Sequence, residues 1–416
     1  MNGTVFRVGL FLATRQLKRT SVWTTLLIIF VMTLTFLNLV IVSGILVGLV
    51  HGASTSNRTQ YSGDVIVSTR PEKSYIQESP SVIAAAHSLP DAVAVSARYL
   101  TRGVIEAQYR TKNRESDLTN HVNATIVGID PSDEDTVTNL SHLIIKGEYL
   151  DPKEDGYILL GKNLLSEYSS KQPGLTTLEH VSIGDKVRVR IGTKEKEVTV
   201  KGIIRSKIDQ VSLRAYVVDR ELRGILNRTD QNVGEIAIRL SPGASADTSA
   251  AILISQGVPE KGLVQTWEEA QGDFFKNIED TFRMLGNIIG AIGLVASSIT
   301  IFIVIFINAV TRKKYIGILK GIGIDRRAIE FSYIIQSVFY ALFGAAFGLS
   351  ILYGILVPYF LAHPLDFPFS DGVLVAPLSG SLIRAGVLLV ATIIAGYIPA
   401  RMIIKKNTLD AILGRE

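Results

Sequence analysis

The sequence RKKYIGILKGIGIDRR, residues Arg312–Arg327, separates two long apolar runs. Six of its residues are basic and one is acidic. Loops rich in lysine and arginine stay on the cytoplasmic side of a membrane. The sequence therefore predicts a short cytoplasmic segment, residues 312–328, between two membrane spans.

The apolar residues of this stretch recur at the spacing of one helix face. The members of the stripe are Tyr315, Ile318, Leu319 and Ile322. Gly317 and Gly321 lie four residues apart, so they would leave a bare strip of backbone that another surface can approach closely. Gly323 would then break the helix, and Asp325 would cap the next one.

Two interpretations of this segment stay open on these residues alone. A solvated basic turn would only fix the topology of the spans, since any cytoplasmic loop is basic. A small amphipathic helix would instead dock into a cytoplasmic partner. In both cases Ile324 and Ile329 are available as a hydrophobic staple at the start of the following helix.

The composition indicates membrane helices joined to a sizeable soluble domain. Of the 416 residues 47% are hydrophobic and 19% charged, too apolar for a soluble protein and too charged for spans alone. The net charge is +5, yet residues 51–280 are net acidic, so the basic excess belongs to the flanks of spans and not to nucleic-acid binding. The chain has no cysteine, and its six histidines make no metal-ligand spacing.

Hydropathy and loop charge divide the chain into nine segments with both termini in the cytoplasm. They are a cytoplasmic interfacial helix (1–20), the first span (21–53), an extracytoplasmic domain (54–265), a stalk with the second span (266–311), the cytoplasmic helix (312–328), the third span (329–362), an outer loop (363–377), the fourth span (378–400) and a cytoplasmic tail (401–416). Val22–Val50 is uncharged over 29 residues, too long for a signal-peptide core. Gly344 and Gly348 would form a small-residue packing face in the third span.

Residues 54–265 predict an α+β domain of roughly 210 residues, enough to bury its own core and to split into two lobes. Short β-branched runs alternate with turn residues, and Ala92–Tyr99 and Val104–Tyr109 are predicted as two separate strands. Helical patches are predicted at Pro80–Ser88, Ser132–Leu140, Lys162–Tyr168, Arg220–Leu226 and Ala244–Gln256.

A capping box, Thr266 followed three residues later by Glu269, is predicted to open a helix that flows unbroken into the second span. The apolar stripe of this stalk is Phe274, Phe275, Ile278, Phe282 and Leu285. From Trp267 to Ala309 the helix would extend about 64 Å, which is about twice the thickness of the hydrocarbon core. It would therefore carry the external domain.

Four stretches carry a resemblance to a known family. They are Val127–Glu134 (VGIDPSDE), Gly156–Val187 (GYILLGKNLL…IGDKV), Arg312–Arg327 and the tail Pro399–Leu413 (PARMIIKKNTLDAIL). With the order of one span, a large domain and three spans, they resemble the permease subunits of MacB/FtsX/LolC–LolE-type ABC transporters. The family's ending usually has proline where Thr408 stands.

The resemblance implies a non-catalytic permease of the bacterial inner membrane that works by mechanotransmission. Its implied partners are a cytoplasmic ABC ATPase, a second permease copy or paralogue, membrane lipids and, outside, a lipoprotein or periplasmic partner. No cofactor and no metal are expected. The family's coupling helix, which touches the ATPase, corresponds to Tyr315, Ile316, Gly317, Ile318, Leu319, Lys320, Gly321, Ile322 and Gly323.

Two functions stay open. The chain would export or extract a lipophilic substrate or lipoprotein, or it would be a regulatory scaffold that controls an extracytoplasmic partner such as a cell-wall hydrolase. The size of the domain favours the first, because the family's scaffold members carry a smaller one. A membrane sensor without a partner is disfavoured by the docking helix.

Two motifs suggest other chemistry. Gly156–Asn163 nearly fits the phosphate loop of nucleotide-binding proteins, but Asn163 has no hydroxyl for magnesium and the intervening residues read as a buried strand. Asp133, Glu134 and Asp135 lack the spacing of a calcium loop, so they are interpreted as a solvated acidic face.

Overall fold

The computed structural model describes residues 3–109, 120–168, 176–367, 370–372 and 374–405, apart from the side chains of residues 273–276, 279, 313, 366, 371 and 372. The described chain forms two compact units. The helical unit comprises residues 1–50, 277–366 and 371–416, and the strand-rich unit comprises residues 51–276 and 367–370.

The helices are α1 (Gly3–Arg19), α2 (Val22–Asn57), α3 (Ser79–His87), α4 (Pro131–Thr138), α5 (Asp209–Ser212), α6 (Asp219–Leu226), α7 (Ala246–Ser255), α8 (Gly272–Thr311), α9 (Lys313–Gly321), α10 (Arg326–Ile351), α11 (Val357–Ala362) and α12 (Leu378–Ile404). The strands are β1 (Val65–Ser68), β2 (Ala92–Ala107), β3 (Asn120–Ile129), β4 (Ile144–Gly147), β5 (Tyr157–Gly161), β6 (Lys186–Ile191), β7 (Lys194–Ile204), β8 (Arg214–Val218), β9 (Glu235–Leu240), β10 (Leu263–Thr266), β11 (Leu365–Phe367) and β12 (Ser370–Gly372).

Within the described residues, four helices are long and apolar enough to cross a membrane. They cover Val22–Ser62, Asp280–Thr311, Arg326–Ala362 and Leu378–Ile404. A π-helical turn extends α2 to Ser62, and another joins α10 to α11. The predicted cytoplasmic tail lies outside the described residues from position 406 onward.

The glycines of α10 pack against α2, as the small-residue spacing predicts. A Cβ added to Gly344 would collide with Met32, and one added to Gly348 would collide with Phe36. Thr33 also donates its hydroxyl to the Gly344 carbonyl oxygen at 3.2 Å. Close backbone approach between spans therefore depends on these two glycines, which confirms the predicted packing face.

The amphipathic helix α1 packs on α10 through small residues. A Cβ on Gly9 would lie 2.9 Å from the Phe331 ring, and Phe6 and Phe331 have ring centroids 5.4 Å apart. The apolar side chains of Phe6, Leu10 and Phe11 are exposed. Their exposure agrees with a helix whose apolar face lies in a membrane interface.

The strand-rich unit is built on a ten-stranded sheet in which β2 joins two lobes. The first part of β2 pairs with β9, next to β1 and β10. Its later part pairs with β3 and β6. Most pairs are antiparallel, whereas β3–β8 and β5–β7 are parallel. Each lobe buries its own apolar cluster.

Two sequence predictions for this unit are wrong. The strands predicted at Ala92–Tyr99 and Val104–Tyr109 are one continuous strand, β2, since pairing with several neighbours satisfies its backbone along its length. The helix predicted at Lys162–Tyr168 is only a 3-10 turn, Lys162–Leu164.

The predicted unbroken stalk helix is also wrong at its start. The capping box forms, with the Glu269 carboxylate accepting from the Thr266 N–H at 3.0 Å and the Thr266 hydroxyl from the Glu269 N–H at 3.3 Å. It opens only a 3-10 turn, because Gly272 takes a positive φ of 72° and α8 begins there. The side chains of Phe274 and Phe275 lie outside the described residues.

Candidate functional site

The predicted docking segment forms helix α9, which is closed by a glycine cap. The Gly323 N–H donates to the Lys320 carbonyl oxygen at 3.0 Å, and the Ile324 N–H donates to that of Leu319 at 3.1 Å. Gly323 has φ of 90°, the left-handed conformation that this cap requires. Gly323 therefore ends the helix as predicted.

The next helix begins two residues later with the predicted cap. The Asp325 carboxylate accepts from the Arg327 N–H at 2.8 Å. Ile324 and Ile329, the predicted staple, belong to the same apolar cluster of the helical unit. Caps at both ends of this short connection fix the angle at which the chain passes from α9 into α10.

Three exposed apolar residues lie along α9, beside the exposed Lys314. Tyr315 is 51% exposed and Ile318 46%, and Ile322, the C-cap residue directly after α9, is 70% exposed. Their spacing puts them on one side of the helix. We call these three residues the outer stripe. A contiguous set of exposed apolar side chains is a surface that a protein or a membrane can cover.

Of the nine predicted coupling residues, some are buried in the helical unit and others are exposed to solvent. Leu319 and Ile316 are buried in the apolar cluster of the helical unit, so they anchor α9 and are not exposed for docking. Leu319 stands at the edge of the predicted stripe nearest Ile316, and packing within the unit covers that edge. Gly317 is buried, which contradicts the predicted bare strip at that position, while Gly321 is exposed with nothing within 4 Å of an added Cβ.

Lys320 is partly buried beside a second cation. Burial lowers the pKa of Lys320, and the neighbouring Arg326 guanidinium lowers it further. Arg326 itself pairs with Glu330 at 3.3 Å. The cationic groups of Lys320 and Arg326 are therefore partly covered by the helical unit and are not fully solvated.

The near match to a phosphate loop forms no phosphate cradle. Tyr157–Gly161 is strand β5, whose residues after Tyr157 are buried. A Cβ on Gly161 would collide with the Ser212 carbonyl oxygen, so the space above this glycine is filled by backbone. A phosphate loop needs its N–H groups open to the ligand.

Sequence reasoning missed a buried charge cluster in the strand-rich unit. Arg98 on β2 donates to both oxygens of Glu134 at 2.8 Å and to Glu235 at 3.1 Å. Arg214 on β8 donates to the two oxygens of Glu235 at 2.9 and 2.7 Å. The Tyr61 hydroxyl donates to Glu235 at 3.0 Å, and both guanidiniums lie over its ring.

This cluster changes the acidity of its members. Burial alone would raise the pKa of Glu235, but Arg214 and Arg98 lower it to about 2. The signal in the sequence was a charged residue at an inward position of an otherwise apolar strand, as with Arg98 and Glu235.

The acidic run on α4 is not a wholly solvated face, which corrects that interpretation. Glu134 is buried against Arg98 and accepts from the Ser96 hydroxyl at 2.6 Å. Asp133, by contrast, is exposed. No group of three metal-binding side chains occurs in the parts of the chain that the structure describes.

Comparisons with known proteins identify the class of membrane protein to which the chain belongs. The family described as "MacB-like periplasmic core domain" matches residues 29–255, more than half of the chain, and the family described as "FtsX-like permease C-terminal" matches residues 287–408. Four helices of spanning length with such a domain define a multi-pass membrane protein of the ABC permease class. The chain belongs to the MacB/FtsX-type ABC transporter permeases.

Two relatives and one solved structure illustrate the likeness. The "Macrolide export ATP-binding/permease protein MacB" of Campylobacter fetus is 23% identical over 187 residues, 44% of this chain and 28% of the relative. The "ABC transporter permease YtrF" of Bacillus subtilis is 29% identical over 146 residues, 32% of this chain and 34% of the relative. The chain thus spans about a third of the length of these curated relatives. The periplasmic region of MacB from Actinobacillus actinomycetemcomitans aligns at a TM-score of 0.36 and 12% identity, over 50% of this chain and 91% of that one.

Proposed function

We propose that this chain is a non-catalytic permease subunit that couples ATP hydrolysis by a separate cytoplasmic ATPase to movement of an extracytoplasmic domain. The domain is inserted between the first and second spans, and both termini are cytoplasmic. Two permease chains, identical or paralogous, work as a dimer. The coupled movement exports or extracts a lipophilic substrate or a lipoprotein.

The observation that carries this proposal is the outer stripe on α9. Three exposed apolar side chains lie on α9 and its C-cap residue, and the helix is capped at its end and anchored by Ile316 and Leu319. A force applied to the stripe would therefore reach the core of the helical unit and would not be lost in a loose loop. A solvated basic turn has no need of such anchoring.

The non-catalytic role rests on the likeness to ABC permeases, and the near match to a phosphate loop is a buried strand that gives no reason to place ATP hydrolysis in this chain. A separate ATPase would then supply the hydrolysis, and α9 would be its contact. The resulting division of labour is the one that the family resemblance implies.

The test is co-purification of the ATPase with the chain carrying Ile322→Asp. A carboxylate pressed into an apolar partner surface costs several kcal/mol unless it is paired. We expect loss of both ATPase co-purification and stimulation of its activity by the permease. The matched control is Ile254→Asp, an exposed isoleucine on helix α7 of the strand-rich unit. Full ATPase binding by Ile322→Asp would overturn the proposal.

A further inference from the structure

A groove of about 740 Å³ runs between α1 and α9 in the helical unit. Arg15 and Arg19 of α1 line one side, and Arg312 and Lys314 line the other. Val8 and Phe11, both exposed apolar residues of α1, also line it. The groove therefore offers four cations beside an apolar wall.

The cations of this groove have no acidic counterpart. None of the lining residues is acidic. Among the described residues, no carboxylate pairs with Arg15, Arg19 or Lys314, and Arg312 donates only to the Thr20 hydroxyl at 3.5 Å. Arg15 and Arg19 lie four apart on one helix, where like charges repel. A bound anion would remove that repulsion.

The position of the groove along the spans indicates the kind of anion. Arg19 precedes the first spanning helix, which begins at Val22, and Arg312 follows the second, which ends at Thr311. The groove thus lies where hydrocarbon gives way to the polar headgroups. Basic pockets at this level bind the headgroups of anionic lipids.

We propose that this groove binds one anionic glycerophospholipid. The phosphodiester would accept hydrogen bonds from the guanidiniums of Arg15, Arg19 and Arg312, since their planar forks match phosphate geometry. Lys314 adds a point charge, and the acyl chains lie along Val8 and Phe11. Tyr315 and Ile318 of the outer stripe also line the groove, so the lipid lies beside the ATPase contact proposed above. The lipid is nevertheless a ligand of the permease itself and binds in the absence of the ATPase.

The test is native mass spectrometry of the full chain without any ATPase, titrated with phosphatidylglycerol or with phosphatidylcholine. We expect saturable binding of phosphatidylglycerol in preference to phosphatidylcholine. Arg15→Gln with Arg19→Gln should weaken phosphatidylglycerol binding about a hundredfold, because each of the two lost charge-assisted contacts is worth about tenfold. The control, Arg7→Gln with Lys18→Gln, removes the same charge from exposed positions of α1 outside the groove and should change the affinity less than about twofold.

A second pair of variants leaves every charge in place. Val8→Trp should fill the groove and displace phosphatidylglycerol, whereas Leu10→Trp, exposed on α1 outside the groove, should not. Equal losses in the two charge variants would mean attraction to the whole basic surface and would overturn the proposal. So would phosphatidylglycerol binding that is unchanged by Val8→Trp. A groove that takes up no lipid in the isolated permease, and becomes protected from hydrogen exchange only when the ATPase binds, would assign it to the ATPase instead.

Discussion

Leu319 and Ile322 lie one helical turn apart in the same predicted stripe, yet Leu319 is 7% exposed and Ile322 is 70% exposed. The stripe therefore has an inner edge that anchors α9 in the helical unit and an outer edge that is free. Hydrophobic periodicity marks both edges alike, so only packing separates the two roles. Substitutions on the two edges should have different consequences.

Leu319→Asp should destabilise the helical unit, whereas Ile322→Asp should leave its stability unchanged. A buried carboxylate without a partner costs several kcal/mol, so we expect Leu319→Asp to lower the thermal midpoint of the purified chain as well as ATPase binding. Ile322→Asp should keep the wild-type midpoint, because its side chain is mostly in solvent. The measurement is thermal unfolding in detergent beside ATPase co-purification. Equal midpoints for both variants would contradict the inner edge as an anchor.

Gly321→Leu should block docking without disturbing the chain. Nothing lies within 4 Å of a Cβ at Gly321, and leucine favours a helix over glycine by about 0.5–1 kcal/mol. We expect a thermal midpoint at or above wild type, with ATPase stimulation lost. As a contrast, Gly348→Leu would collide with Phe36 and should destabilise the spans. If the Gly321→Leu chain still stimulates the ATPase fully, Gly321 is not part of the contact.

Gly323→Ala should weaken the cap of α9 by backbone strain alone. The added methyl meets no atom within 4 Å, but φ of 90° is costly for any residue with a Cβ, by about 1–2 kcal/mol. We expect a lower thermal midpoint and weaker ATPase stimulation. The matched control is Gly321→Ala, which lies two residues earlier in open space and should be neutral or slightly stabilising. Identical behaviour of the two alanine variants would argue against the cap.

The local features of α9 and its neighbours were predictable because each rests on residues close in sequence. The cap at Asp325, the break at Gly323 and the glycine face of α10 all follow from short-range backbone and packing rules. The burial of Gly317 was not predictable, since it depends on which neighbours cover one side of α9.

The buried charge cluster could not be predicted from the sequence for a different reason. Arg98 and Glu235 are 137 residues apart, and nothing in their local sequence marks them as partners. The β-sheet brings them together when β2 pairs with β9, where Arg98 stands opposite Glu235. Local signals can also mislead. The capping box at Thr266 and Glu269 was predicted correctly, but it did not reveal that the positive φ of Gly272 interrupts the predicted stalk helix three residues later.

Residues 51–276 should fold as a soluble unit when expressed alone. The unit buries its own apolar clusters and is free of cysteine. We expect a cooperative thermal transition by circular dichroism. The shorter segment 54–265 should melt at a lower temperature, because it loses Thr266 from strand β10 and the hydrogen bond from the Trp267 N–H to the Asp64 carbonyl oxygen. Aggregation of both would contradict these boundaries.

Glu235→Gln should destabilise this unit and change its response to acid. The pKa of Glu235 falls from its ordinary value of 4.5 to about 2 on folding, so its contribution is complete above pH 4.5 and is lost as the pH falls toward 2. Removing the carboxylate leaves Arg98 and Arg214 buried with one fewer anion, which costs about 3–5 kcal/mol. We expect a lower urea midpoint at pH 7 for the expressed unit, and a smaller loss of stability than wild type between pH 4.5 and 2.

The control is Glu167→Gln, which breaks an exposed pair with Lys146 and should leave both the urea midpoint and its pH dependence nearly unchanged. A Glu235→Gln unit that matches wild type at pH 7 would show that the cluster does not hold the sheet together.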